Sequence, residues 1–448
     1  MTRARWYVVA ALLLPVGARV DAQDTTSRVR PGAVITLADA ISIALAQNSI
    51  VRVARNTQAL DSLTVRQLRN QFRPNLSAST NSSQGFGSRV AGSNTFSTSL
   101  GVSSGLTLYN GRQNVNQLRE AELIARASGS EAERTRQTVV FTVASDFLNL
   151  ITQQEQLRVQ QENLVAQQEQ LAQQEAFAAA GTHPIGDLYQ QQAATANARL
   201  AVATARRATE LAKVDLIQEL VLDPRRDYQF EVPAAQSDTS RRPIVNLDSL
   251  MDVALMRRVD IQAELLRVQA AQREIMVAEG LKLPVVTGSA GYGTSFNTSS
   301  SDNIAVQLDQ RRGGSIGVGV SLPILDRGAA SIARQRAQIQ LENETLALRD
   351  EMQTVGVEIR RAFLEFQSAQ EQLTAADAQQ RAAAQALTAV QARYRNGLAT
   401  FVEVTLARAT LVQAQSAVVN GRASLTFQRA LMSYYTGEID AGNLGNLR

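Results

Sequence analysis

The stretch SIGVGVSLPI, Ser315–Ile324, sets Ile316, Val318, Val320, Leu322 and Ile324 against Ser315, Gly317, Gly319 and Ser321. Successive side chains of an extended chain point to opposite faces, so this alternation reads as a strand with one apolar and one small or polar face. FSTSLGVSSGLTL, Phe96–Leu108, follows the same rule, with Phe96, Leu100, Val102, Leu106 and Leu108 on one side and mostly serine and glycine on the other. Asn75–Phe86 and Val285–Phe296 alternate more weakly, and the polar stretches Gly87–Asn94 and Asn297–Arg312 separate each pair. Strands are expected at about 75–86, 95–109, 285–296 and 313–325, as two hairpins. A soluble sandwich needs a second sheet of bulky inward residues, which four strands do not supply. Transmembrane strands of about 9–11 residues fit the lengths. In lipid every backbone polar group must be paired, so the sheet has to close, and barrels begin at about eight strands. A ring of identical chains is the common route to closure, and three chains would supply twelve strands.

Composition removes other classes. The 448 residues carry 45 basic and 41 acidic side chains, a net charge of +4 that is too small for a nucleic-acid binder. There is no cysteine and one histidine, His183, so disulfides, thiolate sites, zinc centres and nucleophile–base triads have no residues to use. No catalytic constellation, cofactor motif or metal-ligand set is visible, and the chain reads as a non-enzyme. Arg3 and Arg5, the apolar run Trp6–Val16 and the small residues around Ala22 have the form of a secretory signal peptide over 1–22. No later segment approaches the ~20 apolar residues of a membrane-spanning helix.

The chain is duplicated. Leu37, Ala44, Leu45 and Pro74 recur 210 positions later as Leu247, Ala254, Leu255 and Pro284. The offset changes between Pro74 and Leu106 and is then 216: Leu106 maps to Leu322, Phe147 to Phe363 and Gly181 to Gly397, while QEQL at Gln154–Leu157 returns at Gln370–Leu373. A repeat of this length is a duplicated half rather than a solenoid unit. The reading is a first repeat over 23–225, a linker over 226–246, a second repeat over 247–440 and a tail over 441–448. Each repeat opens with a helical segment, Leu37–Phe72 in the first, which proline then ends. Each continues after its hairpin as long helix, expected at about 112–180 and 185–221, then 329–396 and 401–435. Val143, Leu150, Leu157, Leu164 and Leu171 recur every seventh residue, as do Val404, Leu411, Val418, Leu425 and Met432. Ile359, Phe366, Leu373 and Leu387 keep the same register. A seven-residue period marks helices supercoiled in pairs. Gln154, Gln161 and Gln168 are polar enough to line a wet lumen. Heptads alone also fit a periplasmic coiled coil without a lumen, and the strands favour the channel.

The long helices turn back at GTHPIGDL, Gly181–Leu188, and at GLATFVEV, Gly397–Val404. Asp187 and Glu403 stand six residues after the two glycines. In a threefold ring each would form a circle of carboxylates that favours cations. An acid in the first turn also complements the helix dipole, and both readings stay open. His183 has no second metal-binding neighbour and reads as a turn residue.

With these features in order, the sequence resembles the TolC-like outer-membrane efflux protein family over nearly the whole mature chain. The resemblance rests on the two Leu-x6-Ala-Leu openings, the proline-led strands at Pro74 and Pro284, and the strand exits LTLYNGR (Leu106–Arg112) and SLPILDRG (Ser321–Gly328). The return motif RYRNGLATFVEV (Arg393–Val404) completes it. It implies a mostly α protein with a small transmembrane β part: a homotrimer whose 12-stranded barrel stands on an α-helical coiled-coil tunnel. Its location would be the outer membrane, with a periplasmic extension. Its partners would be a periplasmic adaptor and an inner-membrane pump of the resistance-nodulation-division, ABC or major-facilitator type. It implies adaptor contact at Gly181, Thr182, Gly397 and Leu398, and an aperture near Asp187, Tyr394 and Glu403. Where a further acid often lies this chain has Leu406, and where some members carry a basic tip residue it has Ala399.

Overall fold

The computed structural model describes residues 34–85, 95–230 and 246–438. The expected signal peptide, Phe86 of the first expected strand, the polar stretch 87–94, most of the expected linker and the expected tail lie outside the described residues. The first repeat runs β1 (Val34–Ile35), α1 (Leu37–Gln47), α2 (Ser49–Asn70), β2 (Asn75–Gly85), β3 (Thr95–Asn110), α3 (Gln113–Ala179) and α4 (Ile185–Glu219). After β4 (Gln229–Phe230), the second runs α5 (Leu247–Arg257), α6 (Val259–Gly280), β5 (Val285–Asn297), α7 (Ile304–Gln310), β6 (Gly313–Ser321), α8 (Ala329–Arg395) and α9 (Phe401–Tyr435). β1 and β4 pair in parallel as a small separate sheet.

The helical opening of the first repeat is two helices, not one. Asn48 leaves the helical region at ψ 127 and its side chain accepts from the Ile50 N–H at 2.8 Å, which ends α1 and caps α2. Its amide also donates to Glu219 at 3.1 Å. Arg258 makes the equivalent break between α5 and α6. The polar stretch 297–312 likewise contains a helix, α7, which lies against β5. Gln307 accepts from the backbone N–H of Asn297 at 3.0 Å, and the Leu308 carbonyl accepts from the Thr294 hydroxyl at 2.7 Å. β6 ends at Ser321 rather than 325, because Pro323 has no N–H for a ladder.

The four long strands form one antiparallel sheet in the order β2-β3-β5-β6, so the two hairpins join through β3 and β5. The register collects the alternation of all four strands. Ala78, Val102 and Tyr292 stand in one row, and Ser104, Ala290 and Ile316 in another. Directly paired residues project to the same face, so one face holds Leu76, Leu100, Val102, Tyr292, Ile316, Val318 and Val320. The other holds serine, glycine and threonine, with hydroxyl pairs Ser77–Ser103 at 3.0 Å and Ser83–Ser97 at 2.8 Å. A bulge between Thr107 and Tyr109 lays Leu108 over Gly288 and sets Tyr109 opposite Val286, keeping both on the apolar side.

α3 and α8 are 67 residues each, roughly 100 Å at 1.5 Å per residue. α3 pairs with α4 and α8 with α9, while α2, α3, α6 and α8 pack side by side in the same order as the strands they adjoin. The α8 seam is richer in alanine than the heptads of large residues suggest. Ala362, Ala369, Ala376 and Ala383 recur every seventh residue between Ile359 and Leu387, all buried. Gly421 of α9 fits against this seam, where an added Cβ would lie 3.3 Å from the Leu373 backbone. The main core sits at mid-height, where Ile35, Ile41, Val140, Phe147, Leu150, Leu216 and Leu220 are buried together. Gln161 and Gln168 are exposed on the chain and Gln154 is half-buried. Gln167 and Gln174 instead enter the packing.

Candidate functional site

The turns that end α3 and α8 are built alike. Gly181 (φ +68°) and Gly397 (φ +71°) take the left-handed conformation. Their N–H groups donate to Ala178 at 3.1 Å and Tyr394 at 3.0 Å, and the next residues, Thr182 and Leu398, donate back to Phe177 at 3.1 Å and Arg393 at 2.8 Å. This doubled bond is the Schellman closure, which satisfies carbonyls that a helix end leaves open. Gly181, Thr182, Gly397 and Leu398 are all exposed at the tips. An added Cβ on either glycine meets nothing within 4 Å, so substitution strains only the backbone. Gly397→Ala is therefore expected to cost about 1 kcal/mol locally. The check is amide exchange at Leu398, which speeds several-fold in the variant with global unfolding nearly unchanged.

The two turns meet through aromatic rings. His183 stacks on Phe177 at 4.4 Å between centroids and lies 5.7 Å from Tyr394, which in turn lies 6.1 Å from Phe401. The Tyr394 hydroxyl accepts from Gln174 at 2.9 Å, tying α8 to α3. Burial pushes the Tyr394 phenol up; the Gln174 bond works against this, and the Asp187 carboxylate, which interacts with the hydroxyl, adds to the rise. Tyr394 and Asp187 are thus brought together from opposite repeats.

Glu403 is placed differently. Its carboxylate accepts from the Thr400 N–H at 2.8 Å, and the Thr400 hydroxyl accepts from the Glu403 N–H at 3.3 Å, a capping box that starts α9. Pro184 starts α4 without a side-chain cap, which leaves Asp187 for Tyr394. Leu406 is exposed and stands outside the aromatic group. The heptads and turn motifs do not by themselves single out Gln174, Phe177 or Phe401. The two phenylalanines each lie four residues from a turn glycine, a usable signal, but nothing distinguishes Gln174 from the other glutamines of the coil. Among the described residues no three His, Asp or Glu side chains come together as a metal site.

Comparison with known proteins agrees with this architecture. A family model described as outer membrane efflux protein matches residues 40–220 and 250–438, the two repeats. The outer membrane efflux protein BepC of Brucella suis is 24% identical over 444 residues, covering 98% of this chain and 91% of that one. The pyoverdine export outer membrane protein OpmQ of Pseudomonas putida is 25% identical over 308 residues, 66% of this chain; the match spans 62% of that relative's length. Among solved structures, VceC of Vibrio cholerae superposes with a TM-score of 0.76 at 18% identity, over 90% of this chain and 96% of that one. CusC gives 0.77 at 19%, over 90% and 92%. With both repeats matched by the family model and the same fold in these structures, the chain belongs to the outer membrane efflux protein family.

Proposed function

We propose that three copies close into a 12-stranded barrel in the outer membrane, continued by a helical periplasmic tunnel, and that this duct passively conducts cargo to the exterior. One observation carries the reading: the sheet and the helical layer end at the same two edges, both without a partner among the described residues. β2 and α2 form one edge, β6 and α8 the other. On α2, Ile50, Val53 and Leu60 are about 60% exposed (59%, 62% and 63%). On α8, Ile332, Ile339 and Leu346 are exposed at seven-residue spacing. Open strand edges and matching apolar heptads favour pairing with the next copy, which protects both at once. A soluble coiled coil accounts for the helices but leaves the sheet's apolar face in water.

An inner-membrane pump would supply the drive, through a periplasmic adaptor seated on the exposed turns at Gly181, Thr182, Gly397 and Leu398. The Gln174–Tyr394–Asp187 link holds the helix pairs α3–α4 and α8–α9 together near the aperture, and the pairs splay when it is released. Purified in detergent, the mature protein is expected to have three times the mass of one chain and to form cation-preferring channels in planar bilayers. A water-soluble monomer would overturn the reading. Tyr394→Phe, which removes the hydroxyl, is expected to raise conductance several-fold. Unchanged conductance would remove that link from the aperture.

A further inference from the structure

Each of the four connections between a long strand and the helical layer, α2–β2, β3–α3, α6–β5 and β6–α8, carries one cation. Arg73 precedes β2, Arg112 follows β3, Lys282 precedes β5 and Arg327 follows β6. Lys282 is one of only two lysines in the chain. All four side chains are exposed, and none forms an ion pair among the described residues. Lys282 feels the charge of Asp326, whose carboxylate accepts the N–H groups of Gly328 at 3.0 Å and Ala330 at 2.8 Å.

Two of these cations occupy costly backbone. Arg112 (φ +66°) and Arg327 (φ +54°) are two of the three non-glycine residues with positive φ among the described residues. Each is half of a left-handed pair with a glycine, Gly111 at +66° and Gly328 at +82°. At the 216-residue offset the order is reversed, glycine–arginine in the first repeat and arginine–glycine in the second. The turn needs only residues that tolerate this conformation, and glycine or asparagine does so more cheaply. Backbone geometry therefore does not account for the choice of arginine at either turn.

Each cation stands within three residues of an apolar position: Arg73 is three before Leu76, the first apolar residue of its strand, Lys282 three before Val285, Arg112 three after Tyr109, and Arg327 two after Leu325. Three residues span at most about 10 Å, and a headgroup layer is roughly 5–7 Å thick, so side chains of this length reach it from just outside the apolar band. The aromatic residues Phe72 and Tyr109, both exposed, flank the same level.

We propose that Arg73, Arg112, Lys282 and Arg327 form a collar that binds anionic phospholipid headgroups of the periplasmic leaflet, twelve cations to a trimer. This rests on the barrel reading above. The test compares wild type with the quadruple variant Arg73→Gln, Arg112→Asn, Lys282→Gln, Arg327→Asn, in which asparagine keeps the left-handed turns accessible. Trimer mass and conductance are measured first; if wild type fails there, the barrel reading fails and not the collar alone. Binding of fluorescent phosphatidylglycerol to the detergent-solubilised trimer is then titrated. The variant is expected to bind at least about tenfold more weakly, and wild-type binding to weaken steeply with salt. Arg73→Gln with Lys282→Gln, which leaves both turns untouched, is expected to lose about threefold and decides the matter if the quadruple variant does not assemble. Equal affinity of wild type and variants, equal binding of phosphatidylcholine, or full competition by inorganic phosphate would each overturn the proposal. So would altered ion selectivity with unchanged lipid affinity, which would put the cations in the lumen.

Discussion

Ile316→Arg is expected to abolish stable membrane insertion, while Ser315→Arg, one residue away at the same depth, is tolerated. Ile316 is 91% exposed on the single chain and stands in a row with Ala290 and Ser104, near the middle of the apolar face. Ser315 pairs with Gly291 on the serine- and glycine-rich face. An arginine facing lipid at the midplane costs about 2–4 kcal/mol, and three copies bring the cost to roughly 6–12 kcal/mol per trimer. On the opposite face the same side chain remains in water. The measurement is the amount of heat-resistant trimer in the outer-membrane fraction, expected near zero for Ile316→Arg and near wild type for Ser315→Arg. Equal loss in both, or in neither, would mean that the faces are not lipid and lumen.

The second large effect is expected at mid-height. Arg258 is 3% exposed and holds Asp260 at 2.6 Å and Glu358 at 2.7 Å, with Glu351 at 3.8 Å. Arg134 of α3 joins at 3.0 Å from Asp260 and lies over the Tyr434 ring at 4.0 Å. The cluster thus pins α6 and the end of α9 to both long helices. Arg258→Ala leaves three carboxylates facing one another with one cation, and removing one partner of a buried pair typically costs about 3–5 kcal/mol. Arg258 precedes α6 without a side-chain cap, so no cap is lost with it. Thermal unfolding followed by circular dichroism should show a large drop in Tm at neutral pH. Burial alone would raise the Asp260 carboxyl, but the Arg258 hydrogen bonds and the Arg134 charge outweigh it and hold the group below its ordinary value. A depressed carboxyl stabilises the fold above the unfolded carboxylate range, near about pH 4, and that stability is lost as pH falls through the folded value. The gap between wild type and Arg258→Ala should therefore narrow below about pH 4. A gap that stays constant with pH would separate the destabilisation from these charges.

Much of this architecture is written locally in the chain. Alternation such as Ser315–Ser321 is carried by neighbours in sequence, and a heptad such as Val404–Met432 by residues two turns apart, so each shows without knowledge of what lies opposite. The duplication shows for the same reason, since two copies under the same packing demands keep the same pattern. Less was legible at the break at Asn48, whose oxygen caps α2 locally while its amide is held by Glu219, 171 residues away. The aperture candidates divide in the same way. Asp187 and Glu403 look equivalent by spacing, yet Thr400 captures Glu403 within its own turn while Asp187 meets Tyr394 of the other repeat.

Periodicity therefore establishes which segments are strands and coils and which faces are apolar, because the solvent preference of each side chain is written into its neighbours' spacing. Only the folded chain decides that β3 joins β5, that Gln174 reaches Tyr394 across 220 residues, and that Arg258 gathers acids from α6 and α8. Those contacts depend on directional hydrogen bonds and charge pairs between distant segments, whose geometry exists only once the backbone brings them within a few ångströms.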